Sequence, residues 1–564
     1  MHKSVLICGI LLLFTSAALA QDVSSIGQKT FSCAEPTGIL CAEVYEPIGY
    51  HGAYTGHDEP SLLFYSSTAG SGNRMVYLLR LPKDPPTLPK QDGTGGTFNF
   101  QLHPAFWVGM AVCDDQSAPN PGGSSVGLNI LCTPSSDVNI FDGTDSTKSD
   151  YIGLHPGTAF MEMQFYPPGW FIGCETAWCS ALTIDSLSEN QNTGAGNNAA
   201  CGGAIEYVNR AFITKSGIPT GPPSPLKHNT KTFTPTGDTL FYNSGDVLRI
   251  DLRDTATGLK ITIDDLTTGE SGSMTASAAN GFAEILFDPT GTNCNIAAHN
   301  IPYDFHPMYA TSSEHTRVVW AAHSYNIAFS DEIGHFEYCN DVSRQGGPCT
   351  QDGVHDLDSG LPPGAEDDFG CFSAAFAGVK GLTPIGGCLS TDFEFDGVPY
   401  QLVWPGTLAD STADQLLHPL SIEFTSPLFT NSATGEQQNY DRVAFEADLP
   451  RIESNTNPPC QRHVSNPSDP NPGMDCVNPP KNANFYPFFS TGVSDFSACV
   501  WQLGGANIPG TVNTFGGSST AEFGGRLDLA YPAATPPGSV TVRFNNFRQI
   551  LPDNPCIPSV TTTP

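Results

Sequence analysis

The sequence predicts an all-β protein of two disulfide-stapled modules, and three observations carry that reading. Glycine and proline, 57 and 47 of the 564 residues, outnumber the charged residues, which make up 14% of the chain. A composition so rich in turn formers and so poor in charge is unsuited to coiled coils, helical bundles and charge-rich disorder, and it leaves short strands joined by many turns. Apolar and polar residues alternate with a period of two over several short runs, as half-buried strands require. The cysteines outside the first twenty residues divide equally, eight from Cys33 to Cys294 and eight from Cys339 to Cys556, as two self-contained halves would need.

Charge restricts the partners. With 24 basic and 57 acidic residues the net charge is −33. Nucleic-acid affinity comes mainly from Lys and Arg neutralising phosphates, so no nucleic-acid partner is expected. Cations, neutral glycans and proteins remain open.

Residues 1–20 have a basic start at Lys3, an apolar run from Val5 to Phe14 and a small-x-small end at Ala18-Leu19-Ala20. This is the pattern of a secretory signal peptide, and the apolar run is shorter than the ~20 residues of a membrane span. No other segment approaches that length, so a secreted chain without a membrane span is expected. Cys8 leaves with the leader, and the even number of cysteines that remains suits the disulfide framework of an oxidising compartment. The pairs Cys33/Cys41, Cys113/Cys132, Cys174/Cys179, Cys371/Cys388 and Cys460/Cys476 are close enough to staple local loops, although spacing does not fix connectivity.

In order along the chain, Ala159–Tyr166 reads as a strand with Ala159, Met161, Met163 and Phe165 on one face and Phe160, Glu162, Gln164 and Tyr166 on a polar, aromatic outer face. Val247–Arg253 points Leu248, Ile250 and Leu252 inward. Leu259–Ile263 follows after a turn at 254–258, so the two form a hairpin. The stretch from Met308 to Ile333 mixes a helical stripe (Val318, Ala322, Tyr325, Phe329) with β-branched and aromatic runs, and is read as strands. Asp392–Asp396, Arg442–Phe445, Ala498–Gln502 and Ser539–Phe544 continue the strand vocabulary after a Gly/Asp-rich connection at 345–368.

Residues 159–170 (AFMEMQFYPPGW), 178–185 (WCSALTID) and 245–274 (GDVLRIDLRDTATGLKITIDDLTTGESGSM), in that order, resemble the strands and turns of concanavalin-A-like jelly rolls. The resemblance covers about residues 55–290, and it implies a jelly-roll β-sandwich for 21–345 followed by a second β-rich module over 346–564. Residues 56–67 (GHDEPSLLFYSS), 330–339 (SDEIGHFEYC) and 512–524 (VNTFGGSSTAEFG) resemble a family of large secreted proteins to which the resemblance attaches no activity. A fold by itself implies no chemistry.

Jelly-roll hydrolases carry two or three carboxylates on one strand face, and glycoside hydrolysis needs such a pair. Glu162 stands alone on the matching strand, with Met at 161 and 163 and Gln at 164. Glu162, Gln164, Tyr166 and Trp170 could therefore line a sugar groove with Glu162 as the one candidate catalytic group. A second carboxylate would have to come from Asp185, Glu189, Asp251 or Glu284. The bland reading of the same residues is a solvated strand face.

Asp392, Glu394 and Asp396 share a strand face at steps of about 6.6 Å, a repulsive arrangement that a cation or a retained proton would relieve. Asp352, Asp356, Asp358, Glu366, Asp367 and Asp368 crowd a Gly/Pro-rich loop, and oxygen-rich flexible loops suit Ca2+. Asp356, Asp358, Asp367, Asp368, Asp392, Glu394 and Asp396 are the candidate calcium ligands, against an exposed acidic surface. His299, His306, His315, His323 and His335 form a window without a zinc-binding spacing. Gly123–Gly127 matches a nucleophile elbow in letters only, because a turn precedes it and a cysteine follows. The reading that results is a secreted protein that recognises an extracellular polysaccharide or oligosaccharide, with or without hydrolysis. A non-catalytic structural or surface protein is the alternative, and a metal-dependent enzyme using the histidine window 299–335 is third.

Overall fold

A computed structural model describes residues 56–81, 106–115, 132–139, 157–187, 206–286, 300–308, 324–339, 422–448, 488–503, 527–532 and 539–556, with short gaps inside these ranges, and short strands at 189–196, 352–354 and 512–513. The strands that position the candidate site are, along the chain, β1 (Ser61–Tyr65), β2 (Arg74–Arg80), β3 (Phe106–Asp114), β4 (Gly157–Tyr166), β5 (Cys179–Leu187), β6 (Glu206–Phe212), β7 (Val247–Thr255), β8 (Gly258–Asp265), β9 (Ser271–Thr275), β10 (Ala283–Ile285), β11 (Asn300–Pro302), β12 (His306–Pro307), β13 (Ser324–Phe329), β14 (Ile422–Thr425), β15 (Leu428–Thr430), β16 (Gln437–Asn439), β17 (Arg442–Asp448), β18 (Phe488–Thr491), β19 (Val500–Leu503), β20 (Val512–Asn513) and β21 (Asn546–Leu551).

These strands form two large antiparallel sheets. The first runs β21-β17-β1-β13-β3-β4-β5-β6, with β12 added beside β3; the second runs β9-β8-β7-β2-β14-β19-β18-β20, with β15 and β16 attached through β2. Alternation decides which side chains meet between them. Val108, Met110 and Val112 of β3 and Ala159, Met161, Met163 and Phe165 of β4 join Met75, Tyr77 and Leu79 of β2 and Leu248, Ile250 and Leu252 of β7 in one core cluster. Apolar burial of this kind stabilises by about 25 cal/mol per Å², so a core drawn from both sheets binds each to the other.

Both sheets cross residue 345. β1 pairs with β17 and β2 pairs with β14 and β15, so the halves expected from cysteine parity are joined by backbone hydrogen bonds among the described residues. Side chains make the same connection: the Phe64 ring lies 6.2 Å from that of Tyr440 and 6.1 Å from that of Trp501, and the Tyr440 hydroxyl donates to the Ser71 carbonyl at 2.7 Å.

The hairpin at 247–263 forms as the alternation requires, but its turn is tighter than expected. Asp254 faces Leu259 and Thr255 faces Gly258, which leaves only Ala256 and Thr257 to turn. Gly258 has φ +109°, and a Cβ there would sit 2.3 Å from the Ala276 carbonyl oxygen, so both backbone and space demand glycine. Tyr325–Phe329 is strand, within β13; residues 309–323 lie outside the described residues. Cys113–Cys132 and Cys174–Cys179 are bonded as local staples. Cys499–Cys556, a pair the spacing did not single out, closes a 57-residue interval and ties the end of the chain to β19. The leader, Cys33/Cys41, Cys371/Cys388 and Cys460/Cys476 lie outside the described residues. Among the described residues no helix is long and apolar enough to cross a membrane.

Because Trp501 packs on Phe64 from the opposite end of the chain, Trp501→Ala is expected to cost about 3–5 kcal/mol, the scale for deleting a buried large aromatic. Calorimetry should show one transition containing both chain ends and moving to lower temperature as a unit. Two separate transitions, with only the later one shifted, would show that the halves fold independently.

Candidate functional site

The outer face of β4 gathers the residues singled out from the sequence. Register places Glu162 between Gly109 of β3 and Thr183 of β5, with Arg210 of β6 next in the same row; Gln164 lies between Trp107 and Ala181, and Phe160 between Ala111 and Asp185. Gly109 and Ala181 leave space beside the longer side chains. Along β4 the polar groups form a directional chain: the Tyr166 hydroxyl donates to Gln164 Oε1, and Gln164 Nε2 donates to Glu162 Oε2 at 2.6 Å. Thr183 Oγ1 donates to the Glu162 carbonyl at 3.3 Å.

This face is not the solvated surface that the alternation suggested. Phe160, Glu162, Tyr166, Trp107 and Thr183 are buried, with Glu162 only 4% exposed, and Gln164 and Asp185 are half-buried. The physical reason is that alternation tells which residues share a face and not whether another segment lies on it. Beyond Phe160 in the same face, Met308 and Cys132 pack on Ala111 and Cys113, and the Met308 N–H donates to the Ala111 carbonyl as a continuation of the β12–β3 pairing. Burial pushes the Tyr166 hydroxyl far above its ordinary range; nearby Arg210 opposes that shift, and Glu162 and Asp185 add to it. The hydroxyl is thus held as a donor, which fixes the direction of the chain toward the Glu162 carboxylate.

The candidates for a second carboxylate separate. Asp185 shares the face of Glu162, one step away on the diagonal of β5, where side chains stand about 7–8 Å apart. Asp251 belongs to the other sheet and receives Arg74 Nη2 at 2.9 Å, with Arg249 and Arg253 nearby. Glu284 is fully buried on β10, in a different neighbourhood, and the side chain of Glu189 is outside the described residues. Trp170, Asp356, Asp358, Asp367, Asp368, Asp392, Glu394 and Asp396 also lie outside them, as do Gly123–Gly127, His299, His315, His323 and His335. Of the histidine window, His306 is described. Its Nδ1 is 2.8 Å from Asp254 Oδ1, and both side chains are buried. Burial raises Asp254, and the contact with His306 opposes the rise.

Among the described residues no three His, Cys, Asp or Glu side chains are grouped so as to hold a metal ion. The arrangement on β4 offers one carboxylate acceptor held by an amide that is itself held by a phenol. It can orient a buried acceptor, and its described hydrogen bonds run among its own members. A second polar group, Asp114, Asp115 and Glu284, was not found as a unit from the sequence. The adjacent Asp114-Asp115 at a strand end was its only local signal.

No family model matches the chain, and no curated protein matches it. Among solved structures it is similar to a Scytalido-glutamic peptidase bound to a peptide-based transition-state analogue, over 71% of this chain and 91% of that one, at 7% identity and a TM-score of 0.19. A similarity of that size assigns neither fold nor activity.

Glu162→Ala removes the acceptor of the Gln164 amide inside a buried face. It is expected to cost about 1–3 kcal/mol in urea unfolding, the penalty for stranding a buried donor. Glu162→Gln keeps an acceptor oxygen and should cost less. Equal, near-zero effects of both would mean that the row is not closed in solution.

Proposed function

We propose that this chain is a non-catalytic extracellular structural or surface protein, a disulfide-stapled β framework without a small-molecule substrate. The observation that carries this reading is the state of the β4 face: Glu162, Gln164 and Tyr166 are hydrogen-bonded to one another, and Glu162 and Tyr166 are buried. A hydrolytic pair would need two carboxyls on opposite sides of a bound sugar about 5–5.5 Å or about 6.5–9.5 Å apart, with room for the sugar between them. Leader-like residues 1–20 and three formed disulfides support a destination outside the cell. The jelly-roll sandwich remains the proposed finer architecture, supported by two antiparallel sheets sharing one core.

Recognition of an extracellular oligosaccharide or polysaccharide is the second reading. It is favoured by the partial exposure of Gln164 and Asp185 on the face of Glu162. Titrating the secreted chain with an oligosaccharide panel while following tryptophan fluorescence separates the two. The structural reading expects no saturable quenching and no release of reducing sugar. Saturable quenching that Gln164→Ala abolishes would overturn it in favour of glycan binding.

Calcium in the acidic stretches 352–368 and 392–396 belongs with either reading, as a brace for the framework. A ligand that binds only the native state stabilises it with the logarithm of its concentration, so a chelator should lower the melting temperature and calcium should restore it. Magnesium should restore it poorly, because it keeps its waters and demands a tight octahedron. An unchanged melting curve in chelator, with no calcium found by elemental analysis, would leave both stretches as acidic surface.

A further inference from the structure

At one end of the core, two consecutive carboxyl groups and a third 170 positions beyond the first lie together away from water. Asp114 closes β3 with its side chain on the inward face, Asp115 follows it, and Glu284 sits in the middle of β10 opposite Ile301 of β11. Asn209 of β6 fixes β10 in place: its Nδ2 donates to the Ala283 carbonyl at 2.8 Å, and its Oδ1 accepts the Ala283 N–H at 2.9 Å. Asp114 and Glu284 are 0% exposed and Asp115 is 5% exposed.

Their hydrogen bonds are unequal. Asp114 Oδ2 accepts from the Tyr207 hydroxyl and from Ser186 Oγ at 3.0 Å, and Asp115 Oδ2 accepts from the Cys132 N–H at 3.4 Å. Neither oxygen of Glu284 receives a hydrogen bond from any described donor. The titratable groups facing Glu284 are Asp114 at the end of β3, Asp115 just after it, Tyr207 from β6 and Tyr303 just after β11. His306, on the strand paired with β3, gives its ring to Asp254 instead. Carboxylates are acceptors only and no described hydrogen bond reaches either Glu284 oxygen, so an ionised Glu284 would add a buried negative charge beside Asp114 and Asp115, with the Tyr303 hydroxyl as the facing group left to donate to it. A protonated Glu284 reverses the situation, because its O–H can donate to the Asp114 or Asp115 carboxylate.

We propose that Glu284 retains its proton in the native fold and donates it within the Asp114–Asp115–Glu284 cluster, so that this cluster contributes stability in acid that is lost as the pH rises. Burial, followed by the neighbouring Asp114 and Asp115, pushes the Glu284 carboxyl well above its usual range. An unfolded glutamate titrates near pH ~4.3, so above that point the folded state binds one more proton than the unfolded chain. The contribution is complete below that pH and is lost as pH rises through the native value. The unfolding constant therefore grows about tenfold per pH unit for that one proton within the window. Asp246 and Asp254 are also raised by burial and act in the same direction, so Glu284 is one component of the slope.

The test compares chemical unfolding of the full chain and of Glu284→Gln at a series of pH values from mildly acid to neutral. Glutamine supplies a permanent donor without a titrating proton. The variant is expected to match wild type in acid and to lose stability less steeply with rising pH, by up to about tenfold in unfolding constant per unit. Parallel slopes would overturn the proposal. Should Glu284→Gln not fold, Asp115→Asn removes one neighbouring charge and should shorten the pH range of the decline; an unaltered range would overturn it. In wild type, the infrared carbonyl band of an un-ionised carboxylic acid should persist above the pH at which unfolded carboxyls ionise, and should vanish on unfolding; its absence from the folded chain there would overturn the proposal without any variant. A stoichiometric divalent ion that wild type retains and Glu284→Gln loses would put a cation in the proton's place and overturn it as well.

Discussion

The structure depends on β2 being held from both sides. This seven-residue strand is hydrogen-bonded to β7 along one edge and to β14 and β15 along the other, and it buries Met75, Tyr77 and Leu79 on its inward face. Without it the second sheet falls into three hydrogen-bonded pieces, β7–β9 from residues 247–275, β14 with β18–β20, and the β15–β16 hairpin. In the first sheet, β1 occupies the same kind of position between β13 and β17. Two short strands near the start of the described chain thus set the order of both sheets. The contact of Phe64 with Tyr440 and Trp501 places the two sets of neighbours in one core.

Local patterns in the sequence were sufficient for strands whose evidence is local. β4, β7 and β8 appear where the alternation of Met161, Met163 and Phe165, or of Leu248, Ile250 and Leu252, put them. The inward faces are the apolar ones. Pairing partners were not legible, because nothing in RMVYLLR at 74–80 indicates that its edges meet residues 247–253 and 423–429. Cysteine parity suggested a division at residue 345, yet parity concerns which thiols bond, and hydrogen-bonded strands are free to cross such a line.

The candidate site was legible as a set and not as an environment. That Glu162, Gln164 and Tyr166 share a face follows from the two-residue period. That they bond in series and that Glu162 and Tyr166 are buried is not contained in that period. The carboxyl cluster was less legible still. Asp114 and Glu284 are 170 positions apart, and each read alone resembles an ordinary polar residue near a strand end. Polar groups of this kind are the expensive part of a β core, and both clusters here are arranged so that hydroxyl, amide and acid groups point toward one another.

The bond from the Tyr440 hydroxyl to the Ser71 carbonyl spans 369 residues. A ribosome adding about 5–20 residues per second needs roughly 20–70 s to cover that distance. For that whole interval β1 and β2 each lack the partner of one edge, which comes only from residues 422–448, and that edge is available to any other extended chain. The nascent polypeptide therefore outlives many chances of mispairing before its own last strands are made, and its proper assembly is a matter of escort and timing as much as of final stability.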